Sequence, residues 1–313
     1  MSGRLAPLVI VGPTASGKSD LALALARRAP EPIEIISADA MAVYRGMDIG
    51  TAKAPVADRA EIRHHLVDVA DPGEEYTMAR FQAEVAEVLA DIEGRGGAAI
   101  VVGGTGLYVR AVVDDFTVPG QFPEVRATLA AEPSVERLHR RLTELDPVAA
   151  AKMLPTNRRR IERALEVTIG SGRPFSSFGP GVDRYPPTRF VQAGLRLDRA
   201  ELDRRIDTRY DRQMVDGFLA EVDALAAGGP LSRTAAQALG YRELLAHRAG
   251  EMAFEEALEL ARKRTRRFAR RQERWFRRDP RIVWFDALGP DLVIEVERFW
   301  RNSLVGKRGE LST

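Results

Sequence analysis

The residues best equipped for chemistry stand near the amino terminus: Gly12, Pro13, Thr14, Ala15, Ser16, Gly17, Lys18 and Ser19. They follow an apolar run, Leu8-Val9-Ile10-Val11, and precede an alanine- and leucine-rich stretch, Leu21 to Arg28, with helical spacing. A strand, then GxxxxGK[ST], then a helix is the context that turns this pattern into a phosphate cradle. Glycines let successive backbone N–H groups turn inward, and the helix adds the positive end of its dipole. Lys18 is placed to reach the outer phosphate oxygens, and the Ser19 hydroxyl to ligate Mg2+. A diphosphate or a triphosphate is expected here.

Two further groups should join that cradle. The apolar run Ile33 to Ile36 ends in Ser37-Ala38-Asp39. In a doubly wound sheet the carboxyl ends of the strands gather at the ligand-binding edge, so Asp39 is expected beside the phosphate loop. The same carboxylate suits a cap for a helix starting near Ala40. The run Ala98 to Val102 reads as a strand buried on both faces, and it ends in Gly103-Gly104-Thr105-Gly106. ATP-hydrolysing phosphate-loop proteins commonly place an acid at such a position to hold Mg2+. Here two glycines clear space and Thr105 offers a hydroxyl.

The elements that must position these groups follow from pattern. Residues 5 to 11 read as a first strand and Ser19 to Arg28 as a first helix, with further strand candidates at Leu66 to Val69, Phe190 to Leu197 and Ile282 to Phe285. Thr77 to Glu93 is amphipathic, with Phe81, Val85, Val88 and Leu89 on one face. Tyr44 to Lys53 reads as an irregular, glycine-punctuated loop. The expected architecture is α/β: a phosphate-loop parallel-sheet core over 1–120 and 195–313, with a mainly helical insertion over 121–194. Within the insertion helices are predicted at Glu124 to Ala131, Val135 to Leu145, Pro147 to Met153 and Arg158 to Ile169, and Gly170 to Pro187 reads as a loop. Asp198 and Glu201 form a capping-box pattern for a helix over Arg199 to Asp216, which carries Arg205 and Arg209 on one face. Gly240-Tyr241-Arg242-Glu243 opens another helix, Phe254 to Arg278 is a long basic one, and Leu292 to Trp300 is the last. The tail from Lys307 reads as disordered.

Composition narrows the class. The 313 residues are 45% hydrophobic and 29% charged, enough for a full core, and contain no cysteine. Disulfides, thiolate catalysis and cysteine-based zinc sites are excluded. The four histidines, His64, His65, His139 and His247, lack metal-site spacing. No apolar run approaches the roughly 18 residues of a membrane span, and the first strand follows Met1-Ser2-Gly3-Arg4 without the apolar core of a signal peptide. A soluble, cytoplasmic protein is expected.

Net charge is only +2, yet residues 262–278 hold ten basic side chains and one acid, +9 in all, which leaves −7 on the remainder. Phe268, Trp275 and Phe276 interleave with these arginines. Arginine supplies phosphate contacts and planar stacking, and aromatics stack on unpaired bases. A polyanion larger than a nucleotide is therefore expected. A phosphate cradle with Mg2+, an Asp and a Thr beside it, and a separate basic surface suggest transfer from a phosphate-activated donor to nucleic acid. The alternative is a phosphate-loop kinase for a small metabolite, with Asp39 as base on a hydroxyl.

Six stretches together resemble one family, the tRNA dimethylallyltransferases: GPTASGKS (12–19), ISADAMAVYRGMDIGTAK (36–53), VVGGTGLY (101–108), RRIERALEV (159–167), GYREL (240–244) and RRQERWFRR (270–278). They run through nearly the whole chain in the family's order. Two small departures are Ala40-Met41-Ala42 after the Asp, and Ala54 between Lys53 and Pro55. The absence of cysteine matches bacterial members, which lack the zinc-finger tail of eukaryotic ones.

The resemblance implies that the cradle holds dimethylallyl diphosphate, with Mg2+ on Ser19, and that the allyl group passes to the exocyclic amine of the adenosine 3′ of a tRNA anticodon. It implies Asp39 as general base, Lys18 and Arg209 on the leaving diphosphate, and Thr105 near the reacting centre. It implies tRNA contacts from Asp39, Ala40, Met41, Ala42 and Thr105. Further contacts are implied in the insertion, from Arg126, Arg159, Arg160, Ile161, Glu162 and Arg163 at the anticodon stem-loop. The remainder come from Gly240, Tyr241, Arg242, Arg270, Arg271, Gln272, Arg274, Trp275 and Arg277. A monomer without membrane contact is expected.

Overall fold

A computed structural model describes residues 5–115, 117–179, 181 and 184–303. The tail read as disordered lies outside these residues. Two compact units emerge, one of residues 1–113 and 187–313, the other of residues 114–186.

The larger unit is built on six parallel strands in the order β3-β2-β4-β1-β5-β6. These are β1 (Leu8–Val11), β2 (Ile33–Ser37), β3 (His64–His65), β4 (Ala98–Gly103), β5 (Val191–Arg196) and β6 (Ile282–Asp286). Helix α1 (Lys18–Arg28) follows β1, α2 (Val56–Glu61) precedes β3, and α3 (Met78–Gly94) and α4 (Gly106–Val113) flank β4. After β5 come α9 (Arg199–Val215), α10 (Phe218–Ala227), α11 (Tyr241–Arg248), α12 (Phe254–Phe276) and, past β6, α13 (Leu292–Asn302).

Strand alternation explains the layers. Val9 and Val11 of β1 point into a core shared with α3, α4 and α9 to α12, whereas Leu8 and Ile10 point into a core closed by α1 and α13. Both faces are covered, so β1 and β4 are buried at every position, as the unbroken apolar runs require. Helix starts are chemically specified: the Thr77 hydroxyl accepts from the Arg80 N–H at 3.2 Å, and the Asp198 carboxylate from the Ala200 N–H at 2.8 Å. Glu201 does not complete the capping box, because its carboxylate turns to Arg204 and Arg205.

Three sequence expectations need correction. The strand expected at Leu66 to Val69 is instead His64–His65, because Leu66 (φ 59°) and Asp68 (φ 58°) adopt left-handed backbone incompatible with a strand. Helices α2 and α10 were not anticipated: α2 buries no side chain, while α10 repeats Phe218, Val222 and Leu225 at helical spacing. The helical unit spans 114–186 rather than 121–194, since β5 pairs with β1 from Val191 onward and belongs to the sheet.

The second unit is helical: α5 (Pro123–Ala130), α6 (Val135–Leu145), α7 (Pro147–Ala151) and α8 (Arg158–Ser171). They close on their own core of Leu129, Leu138, Leu142, Ile161, Ala164 and Leu165.

Candidate active site

The strand order places three loops side by side. β2, β4 and β1 are consecutive neighbours in the sheet, and all run the same way. The turns that leave their carboxyl ends therefore meet: Asp39 after β2, Gly103 to Thr105 after β4, and Gly12 to Ser19 after β1. Thr14, Ala15, Gly17, Lys18 and Ser19, with Asp39, Gly103 and Gly104, line one cavity of about 270 Å3, which also takes in Ser37, Thr51, Lys53, His64 and Arg209.

Gly12 (φ 150°) and Gly17 (φ 89°) hold backbone that L side chains rarely adopt. A Cβ on Gly12 would press on the Leu195 carbonyl. Thr14 is the hub of the curl. Its N–H donates to Gln272 Oε1 at 2.9 Å, and its hydroxyl accepts from Arg209 Nη1 at 2.9 Å. Lys18 Nζ donates to the Pro13 carbonyl at 2.7 Å, so the ammonium lies across the loop.

Burial pushes the Lys18 ammonium down to about 8, with Asp39 opposing the shift and Arg209 adding to it. Burial likewise depresses the Arg209 guanidinium. The buried Ser16 hydroxyl and Arg209 Nε have no hydrogen-bond partner. Lys18, Arg209 and orphaned polar groups gathered at the phosphate loop describe an anion site.

Asp39 lines the same cavity. Its Oδ1 accepts from the Met41 N–H at 2.8 Å, which caps a turn rather than the helix expected at Ala40. The Ala40 N–H in turn donates to the Thr105 hydroxyl at 3.4 Å, so the loops after β2 and β4 are joined at the two groups singled out for chemistry. Gly103 permits that approach, because an added Cβ would collide with the Ala38 carbonyl oxygen and Cβ. Gly103→Ala is expected to cost about 1–3 kcal/mol, measured by denaturant unfolding, because backbone rather than a mobile side chain must yield.

Sequence reading missed the groups that order the loop over 44–53. Glu221 accepts from the N–H groups of Asp48, Ile49 and Gly50 at 2.8, 2.7 and 3.1 Å, and from the Tyr241 hydroxyl at 2.6 Å. Gln213 Nε2 donates to the Ile49 carbonyl at 2.5 Å. Lys53, its side chain 2% exposed, donates to Asp48 and Asp68 at 2.6 and 2.5 Å. Nothing local marks Glu221, which lies on a helix that follows a loop more than a hundred residues downstream.

The basic helix divides into two faces. Arg270, Arg266 and Arg262 pair with Asp203, Asp207 and Asp211 of the antiparallel α9, the first two at 3.8 and 2.5 Å. Arg264 pairs with Glu243. Lys263, Arg267, Arg271 and Arg274 form the solvent-exposed face, with Arg277 exposed at its end beside Glu273 at 2.6 Å. One face of the cationic stripe, three of its ten basic side chains, is thus paired with aspartates at i, i+4 and i+8 on its neighbour.

Several residues that the resemblance assigned to tRNA contact are turned inward. Gln272 is buried, its amide bridging the Thr14 N–H and the Gly104 carbonyl at 2.9 and 2.8 Å. Trp275 packs where a side chain on Gly106 would stand. Tyr241 is buried edge-on against Phe218, and Gly240 (φ 86°) donates its N–H to Glu243 at 2.9 Å. Arg242 pairs with Gln237 and Glu243 at 3.0 and 3.3 Å. Ala42 is buried, whereas Ala40 and Met41 are half-buried.

In the helical unit Ile161 belongs to the core and Glu162 holds Arg158 at 2.6 Å. Arg126 and Arg163 converge on the buried carboxylate of Glu166 at 2.9 and 3.0 Å. Burial works to raise the Glu166 carboxyl, but Arg126, the Phe122 N–H and Arg163 together hold it below the usual carboxylate range. Arg159 and Arg160 project into solvent.

No group of three or more acidic, His or Cys side chains that could cage a metal occurs among the described residues. Mg2+ does not require one, since it keeps several waters and takes one or two carboxylates beside substrate phosphates. The hydroxyl of Ser19, exposed at the first turn of α1, and the cavity-lining Asp39 and Ser37 supply hard oxygen donors of that kind. No helix among the described residues is long and apolar enough to cross a membrane.

Comparison with known proteins finds relatives along nearly the whole chain. A family model described as IPP transferase matches residues 42–279. The chain is 52% identical to a tRNA dimethylallyltransferase of Kineococcus radiotolerans over 90% of its length and 91% of that protein, and 49% identical to one of Thermobifida fusca over 91% of each. Among solved structures, the tRNA isopentenylpyrophosphate transferase of Bacillus halodurans matches 99% of the chain and 100% of that protein with a TM-score of 0.73 and 34% identity. A eukaryotic dimethylallyltransferase captured acting on tRNA covers 97% of the chain, and 77% of itself is covered, with a TM-score of 0.74 and 26% identity. Similarity of this depth along nearly the whole chain places it in the IPP transferase family, that of the tRNA dimethylallyltransferases.

Proposed function

We propose that the protein transfers a dimethylallyl group from dimethylallyl diphosphate to the exocyclic amine of the adenosine 3′ of a tRNA anticodon. The observation that carries the reading is one cavity lined by Lys18, Ser19 and Arg209 and also by Asp39, whose neighbour Ala40 is tied to the Thr105 hydroxyl. An adenine amine is a weak nucleophile, because its lone pair is delocalised into the ring. The leaving group must be made good and a proton removed. As the amine nitrogen bonds to the allylic carbon, the carbon–oxygen bond breaks and its electron pair leaves on the diphosphate. Lys18 and Arg209 line the cavity in which that charge grows. Asp39 accepts the amine proton. Ser19 would help to hold Mg2+, which would supply further charge neutralisation when bound. The adenosine reaches the cavity by leaving its stack. β4 closes on glycines instead of an acid, which, with membership of the family, weighs against the kinase reading.

Incubation with labelled dimethylallyl diphosphate, Mg2+ and unmodified tRNA, followed by nucleoside analysis, tests the reaction. A prenylated adenosine with release of diphosphate is expected. Phosphoryl transfer from ATP without modified RNA would overturn it.

The exposed face of α12 is the proposed RNA-gripping surface of the larger unit, and Arg159 and Arg160 are separately proposed RNA contacts of the helical unit. Replacing Arg271 and Arg274 together with Gln should weaken tRNA binding by about tenfold at moderate salt and reduce the slope of log affinity against log salt by about 1–2. Replacing Arg262 and Arg266 should leave that slope nearly unchanged, since their charges already face Asp211 and Asp207.

A further inference from the structure

Resting on the reading above, we infer that Gln272 is a positioning residue that ties the phosphate loop to the loop after β4, rather than a contact to RNA. Its carboxamide is buried, and both ends are engaged. Oε1 accepts from the Thr14 N–H of the phosphate loop at 2.9 Å, and Nε2 donates to the Gly104 carbonyl at 2.8 Å. Gly104 precedes Thr105, whose hydroxyl meets the Ala40 N–H beside Asp39. One planar amide thus sets the spacing between the two loops that must hold opposite ends of the reacting bond. Gly104 fits the role, because any Cβ there would collide with Gln272 Nε2.

The scaffold behind Gln272 is stiff. α12 is laced to α9 by the three arginine–aspartate pairs and by a buried hydrogen bond between Tyr210 and Thr265 at 2.9 Å. α9 brings Arg209 to the Thr14 hydroxyl, so the two helices hold the same loop residue from both sides. A carboxamide suits the position because, unlike an ionised carboxylate, it offers an acceptor and a donor in one rigid plane at neutral pH. The exposed cations of α12 lie on the same helix, so RNA gripped there is referred directly to the phosphate loop.

The test measures binding of magnesium pyrophosphate and of tRNA separately, by calorimetry, for the full-length wild type, Gln272→Met and Gln272→Glu, together with kcat and KM. Gln272→Met, similar in volume, should bind pyrophosphate ~10-fold more weakly and lower kcat by ~10- to 100-fold. Its tRNA affinity and salt slope should stay within about twofold of wild type. Gln272→Glu should be worse than Gln272→Met at about pH 8, where its carboxylate repels the Gly104 carbonyl and the anion. It should recover relative to wild type as the pH falls toward about 5.5, where the protonated acid again donates. A purely structural role predicts instead that global stability and tRNA affinity fall together with pyrophosphate affinity. Loss of tRNA affinity with a shallower salt slope, or pyrophosphate binding equal to wild type in both variants, would overturn the assignment. Failure of the wild type itself to bind pyrophosphate would overturn the cradle reading along with it.

Discussion

Asp39→Ala is expected to lower turnover by ~10²- to 10⁴-fold, the range for loss of a positioned general base, while tRNA affinity changes little. Asp39 lines the cavity, and one of its oxygens accepts the Met41 N–H, which aims the carboxylate without neutralising it. Substitution by alanine removes the proton acceptor and a turn cap together. Asp39→Asn separates the two effects, since its side-chain oxygen retains the cap but cannot take a proton. Single-turnover rates for both variants, with tRNA bound at saturation, provide the measurement. Near-wild-type turnover in Asp39→Asn would remove the carboxylate from the mechanism and leave it as a cap.

Lys18→Met should cost ~10²- to 10³-fold in turnover, comparable to removing one strong stabiliser of a developing anion. Its pH signature is as telling as its size. Lys18 is held at about 8, against an ordinary 10.5, chiefly by burial. A bound diphosphate restores a negative partner and raises that value, so binding takes up a proton wherever free Lys18 is neutral. Affinity is therefore full below about 8 and declines as the pH rises through about 8 toward the higher value of the complex. Pyrophosphate titrations from about pH 6.5 to 9.5 should show this decline in the wild type and a flatter profile in Lys18→Met. An equally steep decline in the variant would assign the titration to another group.

How far the chain could be read in advance depended on whether a structural demand is local. The cradle is local: its glycines, its lysine and its flanking strand and helix lie within about twenty residues, and backbone sterics dictate their types wherever they occur. The buried strands are local too, since coverage on both faces leaves only apolar side chains at successive positions, as in Ala98 to Val102. Asp39 was placed at the cradle because parallel strands bring their carboxyl ends to one edge. Chemical type alone was ambiguous where a side chain has two uses. The arginines of α12 look alike along the chain, yet Asp203, Asp207 and Asp211 neutralise one face and leave Lys263, Arg267, Arg271 and Arg274 to solvent. Gln272 and Tyr241 lay in stretches expected to meet RNA and instead point inward, to Thr14 and to Glu221. Those assignments hinge on contacts that span 258 residues in one case and on helix rotation in the other, and neither leaves a mark on neighbouring positions. Short-range sterics write themselves into spacing, whereas partnership between distant charges and amides exists only once the chain has packed.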